Sequence, residues 1–325
     1  MTLPRVTDYE HGVSAIDAEY FRPGLAAIHL IVEGGVAALV DSGTTFSVPG
    51  VMATLRQKNL APEDVAYVFL THVHLDHAGG AGEFMHRFPK AKLVVHPRGA
   101  RHMADPAKLI AGTVAVYGEA GFKRMYGEIR PIDPSRIVEA PDGYSVDLNG
   151  RPFLFLDTPG HARHHNCIFD EKIRSFFTGD SFGISYREFD VNGIEFVFPT
   201  TTPVQFDPVA AHASLDRLMR YHPRYAFLTH YGRIGNLPRH VEAMHQLIDA
   251  HVAIAEKVRS DNPGSSNRHA MMEKDIADLL VQRIMAHGCK LPPGKIRELL
   301  SLDAGLNAQG LESWLDSSGK HSGKH

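Results

Sequence analysis

The sequence feature that most constrains this chain is the segment Thr71–His77, with the sequence THVHLDH, which follows the apolar run Val65–Leu70. An apolar run of this length predicts a buried strand, so the three histidines and the aspartate lie on the loop at its C-terminal end. The next residues, Ala78–Gly80, can open a helix that approaches neighbouring backbone closely, because two of the three are glycines. The segment therefore predicts a strand, a polar loop and a helix in succession.

The side chains of this loop are suited to binding metal ions. Imidazole is the usual protein ligand for zinc and also binds iron, and a carboxylate adds charge and basicity. In a tight loop, His72 and His74 can face one metal ion while Asp76 and His77 turn towards a second. The alternative is a polar surface loop that happens to be rich in histidine, and the rest of the chain decides between the two.

Three further predicted strands end close to a residue that can bind a metal ion: residues 152–156 precede His161, residues 173–178 precede Asp180, and residues 225–229 precede His230. Residues far apart in sequence converge when parallel or mixed strands end along one rim of a sheet. Four such strand ends therefore predict one metal site. A predicted hairpin over residues 26–41 ends at Asp41, which is either a turn residue or an acceptor for the second N–H of a ligand histidine.

Strands and helices alternate along the chain before residue 236. Helical patterns cover residues 51–60, 78–88 and about 97–130, and further strand patterns cover residues 92–96, 136–139, 144–148 and 166–169. This alternation predicts helices packed on the face of a sheet. From residue 236 onward the pattern is helical, over residues 237–260, 267–286 and 293–302, with a short element at 311–314. We therefore predict a catalytic domain at 1–235, a helical appendage at 236–316 and a polar tail at 317–325.

Composition excludes several classes of protein. The 325 residues are 43% hydrophobic and carry a net charge of −3 with scattered basic residues, so no nucleic-acid or membrane partner is expected. The N-terminus lacks the pattern of a signal peptide, and no apolar run is long enough to span a bilayer. The two cysteines, Cys167 and Cys289, are too far apart to indicate a disulfide framework. These features predict a cytoplasmic protein.

The histidine and aspartate motifs, in their order and with the strands that precede them, resemble the metallo-β-lactamase-fold hydrolase superfamily. The pattern is most similar to its hydroxyacylglutathione hydrolase (glyoxalase II)-like branch. The resemblance is carried by Thr71–His77, Thr158–His161, Thr178–Asp180 and Thr229–His230, and it covers roughly residues 20–235. It implies an α/β (α+β) fold, an αββα sandwich of two mixed sheets flanked by helices, with a dinuclear metal site at one edge.

The resemblance also implies a role for each residue of the site. The first metal ion is expected on His72, His74 and His161, the second on Asp76, His77 and His230, with Asp180 bridging both. Asp41 matches the family's aspartate that supports a ligand histidine, and His165 matches a further histidine that supports the site or faces the substrate.

We expect this site to hydrolyse a small ester, thioester or lactone. Two divalent cations, zinc foremost and iron or manganese as alternatives, can hold a bridging hydroxide that attacks a carbonyl carbon, while the second cation stabilises the oxyanion. Asp76 is the predicted catalytic residue, because it can orient the nucleophile or pass a proton to the leaving group.

Other members of the same fold supply the alternatives. A persulfide dioxygenase holds one iron at the equivalents of His72, His161 and Asp180, whereas the presence of Asp76, His77 and His230 favours two ions. A lactonase is an alternative within the hydrolases, and a phosphodiesterase lacks support because the chain has no evident basic arm for RNA. The dizinc β-lactamases carry cysteine where this chain has Asp180, which disfavours β-lactam hydrolysis.

Substrate selection is predicted to come from the rim of the site. The segment 182–204 is rich in aromatic residues and forms either a lid or a surface packed on the C-terminal helices or a second subunit. The substrate contacts predicted from sequence are Phe182, Tyr186, Tyr231 and Arg233. The predicted partners are a small-molecule substrate and, as an open alternative, a second copy of the chain in a homodimer.

Overall fold

The computed structural model describes residues 4–202, 204–262 and 264–321. The chain divides into two compact units. The first contains the residues up to 157 together with 164–179 and 223–234, and the second contains 158–163, 180–222 and the residues from 235 onward. The chain therefore passes between the two units several times, and the domain boundary predicted at residue 235 stays a prediction.

The first unit contains a seven-stranded mixed sheet. Its strands follow chain order: β1 (Val6–Asp8), β2 (Val13–Asp17), β3 (Ala27–Glu33), β4 (Val36–Val40), β5 (Val65–Phe69), β6 (Lys92–Val95) and β7 (Ile137–Glu139). Neighbours are antiparallel from β1 to β4 and parallel from β4 to β7. The carboxyl ends of β4 and β5 consequently lie side by side, which places Asp41 next to the start of the histidine loop.

The second sheet of this unit has six strands in the order β13-β12-β11-β10-β9-β8. They are β8 (Tyr144–Leu148), β9 (Arg151–Asp157), β10 (Asn166–Asp170), β11 (Ser175–Gly179), β12 (Tyr225–Leu228) and β13 (Gly232–Ile234). Only β11 and β12 run parallel among these neighbours. The last residues of β11 and β12 therefore lie at the same edge of the sheet, where Asp180 and Thr229 follow them in the chain.

An apolar core joins the two sheets. It includes Val40 and Phe69 from the first sheet and Phe155, Phe177 and Phe227 from the second, all of them buried. Phe69 packs against Phe155 with an edge-to-face contact at 5.3 Å between ring centroids, one of the arrangements that aromatic pairs prefer. The predicted sandwich of two mixed sheets with flanking helices is confirmed.

The described residues of the first unit form the α-helices α1 (Val48–Gln57), α2 (Leu75–Ala78), α3 (Ala81–Arg87), α4 (Pro97–Ala104) and α5 (Ala107–Tyr126). The helix predicted over residues 78–88 corresponds to α3, which begins at Ala81, and Gly79 and Gly80 separate it from α2. A Cβ at Gly80 would lie 2.5 Å from the carbonyl oxygen of Ser42, so only glycine permits this close approach. The predicted backbone approach of the Ala78–Gly80 segment is confirmed.

The second unit contains the helices α6 (Pro208–Met219), α7 (Leu237–Asp261), α8 (Arg268–His287), α9 (Pro293–Leu299) and α10 (Ser301–His321). Helix α8 packs against α7, α9 and α10, and the predicted helical C-terminal region is confirmed. Helix α10 replaces the short element predicted at 311–314 and continues into the predicted polar tail, of which residues 322–325 lie outside the described part.

Short 3₁₀ turns occupy Thr45–Ser47, Pro62–Asp64 and Pro134–Arg136 in the first unit and Arg187–Phe189 in the second. No helix in the described part of the chain is long and apolar enough to cross a membrane.

The aromatic segment 182–204 packs within the second unit. Phe182, Tyr186 and Phe198 are at most 1% exposed, and the Tyr186 hydroxyl donates a hydrogen bond to the Asp303 carboxylate of α10 at 3.0 Å. The amide N–H of Thr201 donates to a side-chain oxygen on the same helix at 2.7 Å. Of the two predicted arrangements, packing on the C-terminal helices is therefore the one that the structure contains.

A buried ion pair connects β9 and β10, and its loss should destabilise the first unit. The Arg151 guanidinium donates to Asp170 Oδ2 at 2.5 and 3.0 Å, and both side chains are at most 1% exposed. Burial raises the pKa of Asp170, and Arg151 opposes that increase. Replacing Arg151 by methionine leaves the carboxylate buried without its partner, so we expect a loss of about 3–5 kcal/mol in the free energy of unfolding.

Urea denaturation measures this loss, with Lys172→Met as the matched control. Lys172 pairs with Glu33 but is 44% exposed, so its replacement should cost only about 0–1 kcal/mol. If both variants lost the same free energy of unfolding, the buried Arg151–Asp170 pair would contribute no more to stability than the exposed Lys172–Glu33 pair, which would contradict this prediction.

Candidate metal centre

The loop that follows β5 carries His72 and His74, as the sequence predicts. Asp76 and His77 were predicted on the same loop, but they lie in the short helix α2, which already begins at Leu75. The apolar residues of the loop are buried, and its polar side chains gather at the carboxyl end of β5. His72 Nε2 and His74 Nδ1 lie 2.9 Å apart, so these two nitrogens face a common point. The structure therefore brings together the two residues that were predicted to share the first metal ion.

A second group consists of Asp76, His77 and His230. His77 Nε2 and His230 Nε2 lie 3.3 Å apart, and Asp76 Oδ2 lies 3.6 Å from the first and 3.2 Å from the second. Ligand bonds of 2.0–2.1 Å in a tetrahedral zinc site place the donor atoms about 3.3 Å from one another. The three donors therefore have the spacing of one face of a tetrahedral metal site, and they form one of the side-chain groups suited to hold an ion.

Asp41 anchors this second group from behind. Its side chain is fully buried and accepts hydrogen bonds from His77 Nδ1 at 2.8 Å, from the Thr71 amide and hydroxyl at 2.9 Å, and from the Thr229 hydroxyl at 2.7 Å. The residue has a φ of 60°, in the left-handed region that aspartate tolerates better than most residues. One carboxylate thus fixes three strand ends and orients a ligand histidine.

The hydrogen bonds of His77 and His230 determine which ring nitrogen each histidine presents to a metal ion. His77 Nδ1–H donates to Asp41, and His230 Nδ1–H donates to the carbonyl oxygen of Leu25 at 2.9 Å. When Nδ1 carries the proton, the neutral ring presents the Nε2 lone pair, and both Nε2 atoms point towards Asp76. The donor set therefore fits a divalent cation.

His165 also belongs to the first unit and lies against the first pair of histidines. It is fully buried, and its ring stacks on that of His72 at 4.8 Å between centroids. Gly179 faces the same ring, because a Cβ there would lie 2.7 Å from His165 Nε2 and 2.5 Å from the Thr71 hydroxyl oxygen. With a φ of 49°, Gly179 satisfies both the backbone conformation and the close approach that the Thr-Gly-Asp motif needs.

The two remaining predicted ligands lie in the second unit. His161 Nε2 is 3.4 Å from Asp180 Oδ2, and both residues are buried. His161 follows the end of β9 by a few residues, and Asp180 directly follows β11. Within this unit the structure therefore brings these two predicted ligands together.

The predicted substrate residues are all engaged in contacts of the protein itself. Phe182 and Tyr186 are buried in the packed aromatic segment, and Tyr231 is 3% exposed. Arg233 forms an ion pair with Glu10 at 2.6 Å and covers the rings of two tyrosines. These contacts do not test a role in binding substrate, which stays a prediction for all four residues.

Tyr20 is a residue near the centre that the sequence did not single out. Its hydroxyl lies 3.1 Å from that of Tyr126, and the two rings stack. Burial and the nearby Asp76 carboxylate raise the pKa of Tyr20, Tyr117 and Tyr126, so all three hydroxyls stay protonated. No periodicity or motif marks Tyr20, since its position depends on the turn that follows β2.

Comparison with known proteins identifies relatives of the chain. Residues 22–230 match the profile of the Metallo-beta-lactamase superfamily. A metallo-beta-lactamase fold-containing protein, ST1585 of Sulfurisphaera tokodaii, is 27% identical over 69% of this chain and 79% of its own length. Acyl-coenzyme A thioesterase MBLAC2 of Gallus gallus is 27% identical over 52% of this chain, and hydroxyacylglutathione hydrolase of Citrobacter koseri is 30% identical over 45%.

The chain spans 62% of the thioesterase and 43% of the glutathione hydrolase, less than two thirds of either. Among solved structures, that of ST1585 from Sulfolobus tokodaii superposes with a TM-score of 0.59 at 24% identity, covering 89% of this chain and 99% of that one. The family protein TTHA1429 from Thermus thermophilus gives a TM-score of 0.62 at 20% identity, covering 95% and 94%. At these identities the structural likeness establishes the fold.

Proposed function

Because the chain belongs to the metallo-beta-lactamase superfamily and is a metal-dependent hydrolase, we propose that it cleaves a small acyl thioester at a centre of two divalent metal ions. Two relatives are named for hydrolysing acyl-coenzyme A and hydroxyacylglutathione, and in both substrates an acyl group is carried on a thiol. An ester or a lactone presents a similar carbonyl carbon, so both belong in the test of this proposal.

The proposed ligands divide into two sets that share one bridging residue. His72, His74 and His161 would hold the first ion, Asp76, His77 and His230 would hold the second, and Asp180 would serve both. Zinc is the proposed metal, with iron or manganese as alternatives, because mixed imidazole and carboxylate ligands accept all three.

The arrangement of Asp76, His77 and His230 is the observation that carries the proposal. These donors are spaced for one ion, and the rings are fixed by Asp41 and by the Leu25 carbonyl. A persulfide dioxygenase with a single iron at His72, His161 and Asp180 gives this second group no role. A centre with two ions therefore gives a role to more of the histidine and aspartate side chains than a centre with one ion does.

The bound ions supply a Lewis acid for the carbonyl oxygen and lower the pKa of water at the centre towards neutrality. The residues of the chain perform the remaining tasks. The Asp76 side chain is 22% exposed, so it can reach a substrate, accept a proton from the attacking water and pass it to the departing thiolate sulfur. Asp41 keeps His77 in the tautomer that presents Nε2, and His165 holds the ring of His72 in place by stacking.

Metal content and substrate hydrolysis test this function. We expect two zinc or iron atoms per chain by elemental analysis, and His230→Ala should retain one of them while losing most activity on acyl thioesters. His86→Ala is the control, because His86 is an exposed histidine of α3 outside the centre. Its replacement should change neither the metal content nor the thioesterase activity.

A panel of acyl-coenzyme A, acylglutathione, ester and lactone substrates separates the candidate reactions. Preference for thioesters supports the proposal. Preference for lactones would make the protein a lactonase, which is still a hydrolase but acts on another substrate class. One iron per chain together with O₂ consumption on a persulfide would overturn the hydrolytic proposal.

A further inference from the structure

A second cluster of histidines and carboxylates lies between two helices of the second unit. Helix α6 carries His212 and Asp216, and helix α7 carries His245 and Asp249, so each helix presents a histidine and, four residues later, an aspartate. Residues four apart share one face of a helix. Both helices therefore present the same pair of side chains towards each other, and none of the four residues belongs to the centre proposed above.

The hydrogen bonds in this cluster cross from one helix to the other. His212 Nε2 lies 3.0 Å from Asp249 Oδ1, and His245 Nε2 lies 3.1 Å from Asp216 Oδ1. A carboxylate oxygen can only accept, so each Nε2 must carry a proton. A neutral ring that is protonated on Nε2 presents the lone pair of Nδ1, so the carboxylates select the same tautomer in both histidines.

The two Nδ1 atoms face each other at 2.5 Å, and the ring planes are inclined by only 14°. Two lone pairs at this distance repel each other, and only a positive charge between them converts the repulsion into attraction. The charge can be a proton or a metal ion. Both side chains are 27–28% exposed, so an ion from solution can reach the pair.

We propose that His212 and His245 form a site for one divalent transition-metal ion, distinct from the ions of the hydrolytic centre. Histidines that bind metals characteristically donate their other N–H to a carboxylate, which raises the basicity of the ligating nitrogen. Both histidines of this pair have such a carboxylate. Imidazole ligands suit copper, nickel and zinc, and water completes the coordination of the ion.

The geometry needs only a small adjustment to accept the ion. Bonds of about 2.0–2.1 Å to two adjacent ligand nitrogens require a nitrogen–nitrogen distance of about 2.9–3.3 Å. The pair must therefore open by less than about 1 Å, which exposed side chains on two helix surfaces accommodate by rotation. Two protein ligands make a weaker site than a set of three or four, so saturation requires added metal.

Copper titration of the full-length protein tests this site without using activity as the readout. The protein is first saturated with Zn²⁺ and desalted, then titrated with Cu²⁺ and measured by electron paramagnetic resonance and elemental analysis. Wild type should bind one more Cu²⁺ per chain than the His212→Gln/His245→Gln variant, with hyperfine coupling to two imidazole nitrogens. Cu²⁺ is the chosen probe because it gives the highest affinity in the divalent series.

Two matched variants isolate the contribution of the pair. His86→Gln/His102→Gln removes two histidines of α3 and α4 and should keep the additional Cu²⁺. Asp216→Asn/Asp249→Asn keeps both ligands and should weaken binding about 10-fold, the lower end for residues that orient metal ligands, since both carboxylates are exposed. Equal Cu²⁺ binding by wild type and the His212→Gln/His245→Gln variant overturns the proposal, as does a signal from a single nitrogen. Neither result would affect the proposed hydrolase, which depends on other residues.

Discussion

Replacing Asp76 by asparagine is expected to lower kcat for thioester hydrolysis by about 10²–10⁴-fold, the range associated with a positioned proton-transfer group. Asparagine keeps the shape of the side chain but removes its charge and its ability to take up a proton. The Asp76 carboxylate lies 3.2 Å from His230 Nε2 in the cluster of three donors and remains partly exposed. It is therefore the acidic residue of the first unit best placed to serve both a metal ion and a substrate.

Steady-state kinetics combined with elemental analysis separates the two roles of Asp76. Retention of both metal ions with a reduced kcat supports proton transfer, whereas loss of one ion assigns the effect to metal binding. Asp275→Asn is the control, because Asp275 lies on the surface of α8, where its side chain is 45% exposed and pairs with Lys274 at 3.7 Å. A kcat within twofold of wild type would contradict a catalytic role for Asp76.

The candidate ligands of the proposed centre could be located from the sequence because they follow strands with strong local patterns. The apolar run at Val65–Leu70 and the histidine loop are contiguous, so periodicity and motif support each other. The hairpin of β3 and β4 was also visible, since two apolar segments flank Gly34 and Gly35. In these segments, local sequence preference and tertiary structure agree.

Other elements were not predicted because tertiary contacts determine them. Strands β1 and β2 are short and contain Asp8 and Asp17, residues that strands disfavour, yet β2 is fully buried by pairing with β3. Helix α10 was predicted only in part, because Gly305 and Gly310 lower the helix propensity of its sequence. Gly310 is required there, since a Cβ would overlap the backbone of Thr201.

The residues of the candidate sites also divide into those that local sequence marks and those that only tertiary packing brings together. Single motifs mark His72, His77 and Asp180 as candidate ligands, but the hydroxyl pair of Tyr20 and Tyr126 depends on residues 106 positions apart in sequence. The crossed contacts of His212 and His245 likewise form only when α6 and α7 pack, although each histidine by itself looks like an ordinary helix residue. A site formed by side chains of two different elements cannot be predicted from the sequence until the packing of those elements is known.

Replacing Asp41 by asparagine is expected to weaken binding of the second metal ion by about 10–100-fold. The carboxylate accepts from the His77 ring, from Thr71 and from the Thr229 hydroxyl, whereas the amide of asparagine supplies one oxygen and two N–H donors. An N–H would then face another donor, and His77 would lose the interaction that fixes its tautomer. The same mismatch should lower the free energy of unfolding by about 1–3 kcal/mol.

Asp17→Asn is the matched control, because Asp17 is also a buried carboxylate of the first unit. It accepts from the amides of Glu19 and Gly24 at 2.9 and 2.7 Å, and no histidine of the described residues donates to it. Asparagine also suits the positive φ of Asp41, so the backbone should stay in place, which alanine would not ensure. Metal titration of the two variants therefore distinguishes orientation of His77 from general loss of stability. If both variants were destabilised equally and Asp41→Asn still bound two ions with the affinity of wild type, Asp41 would serve the fold and not the metal centre.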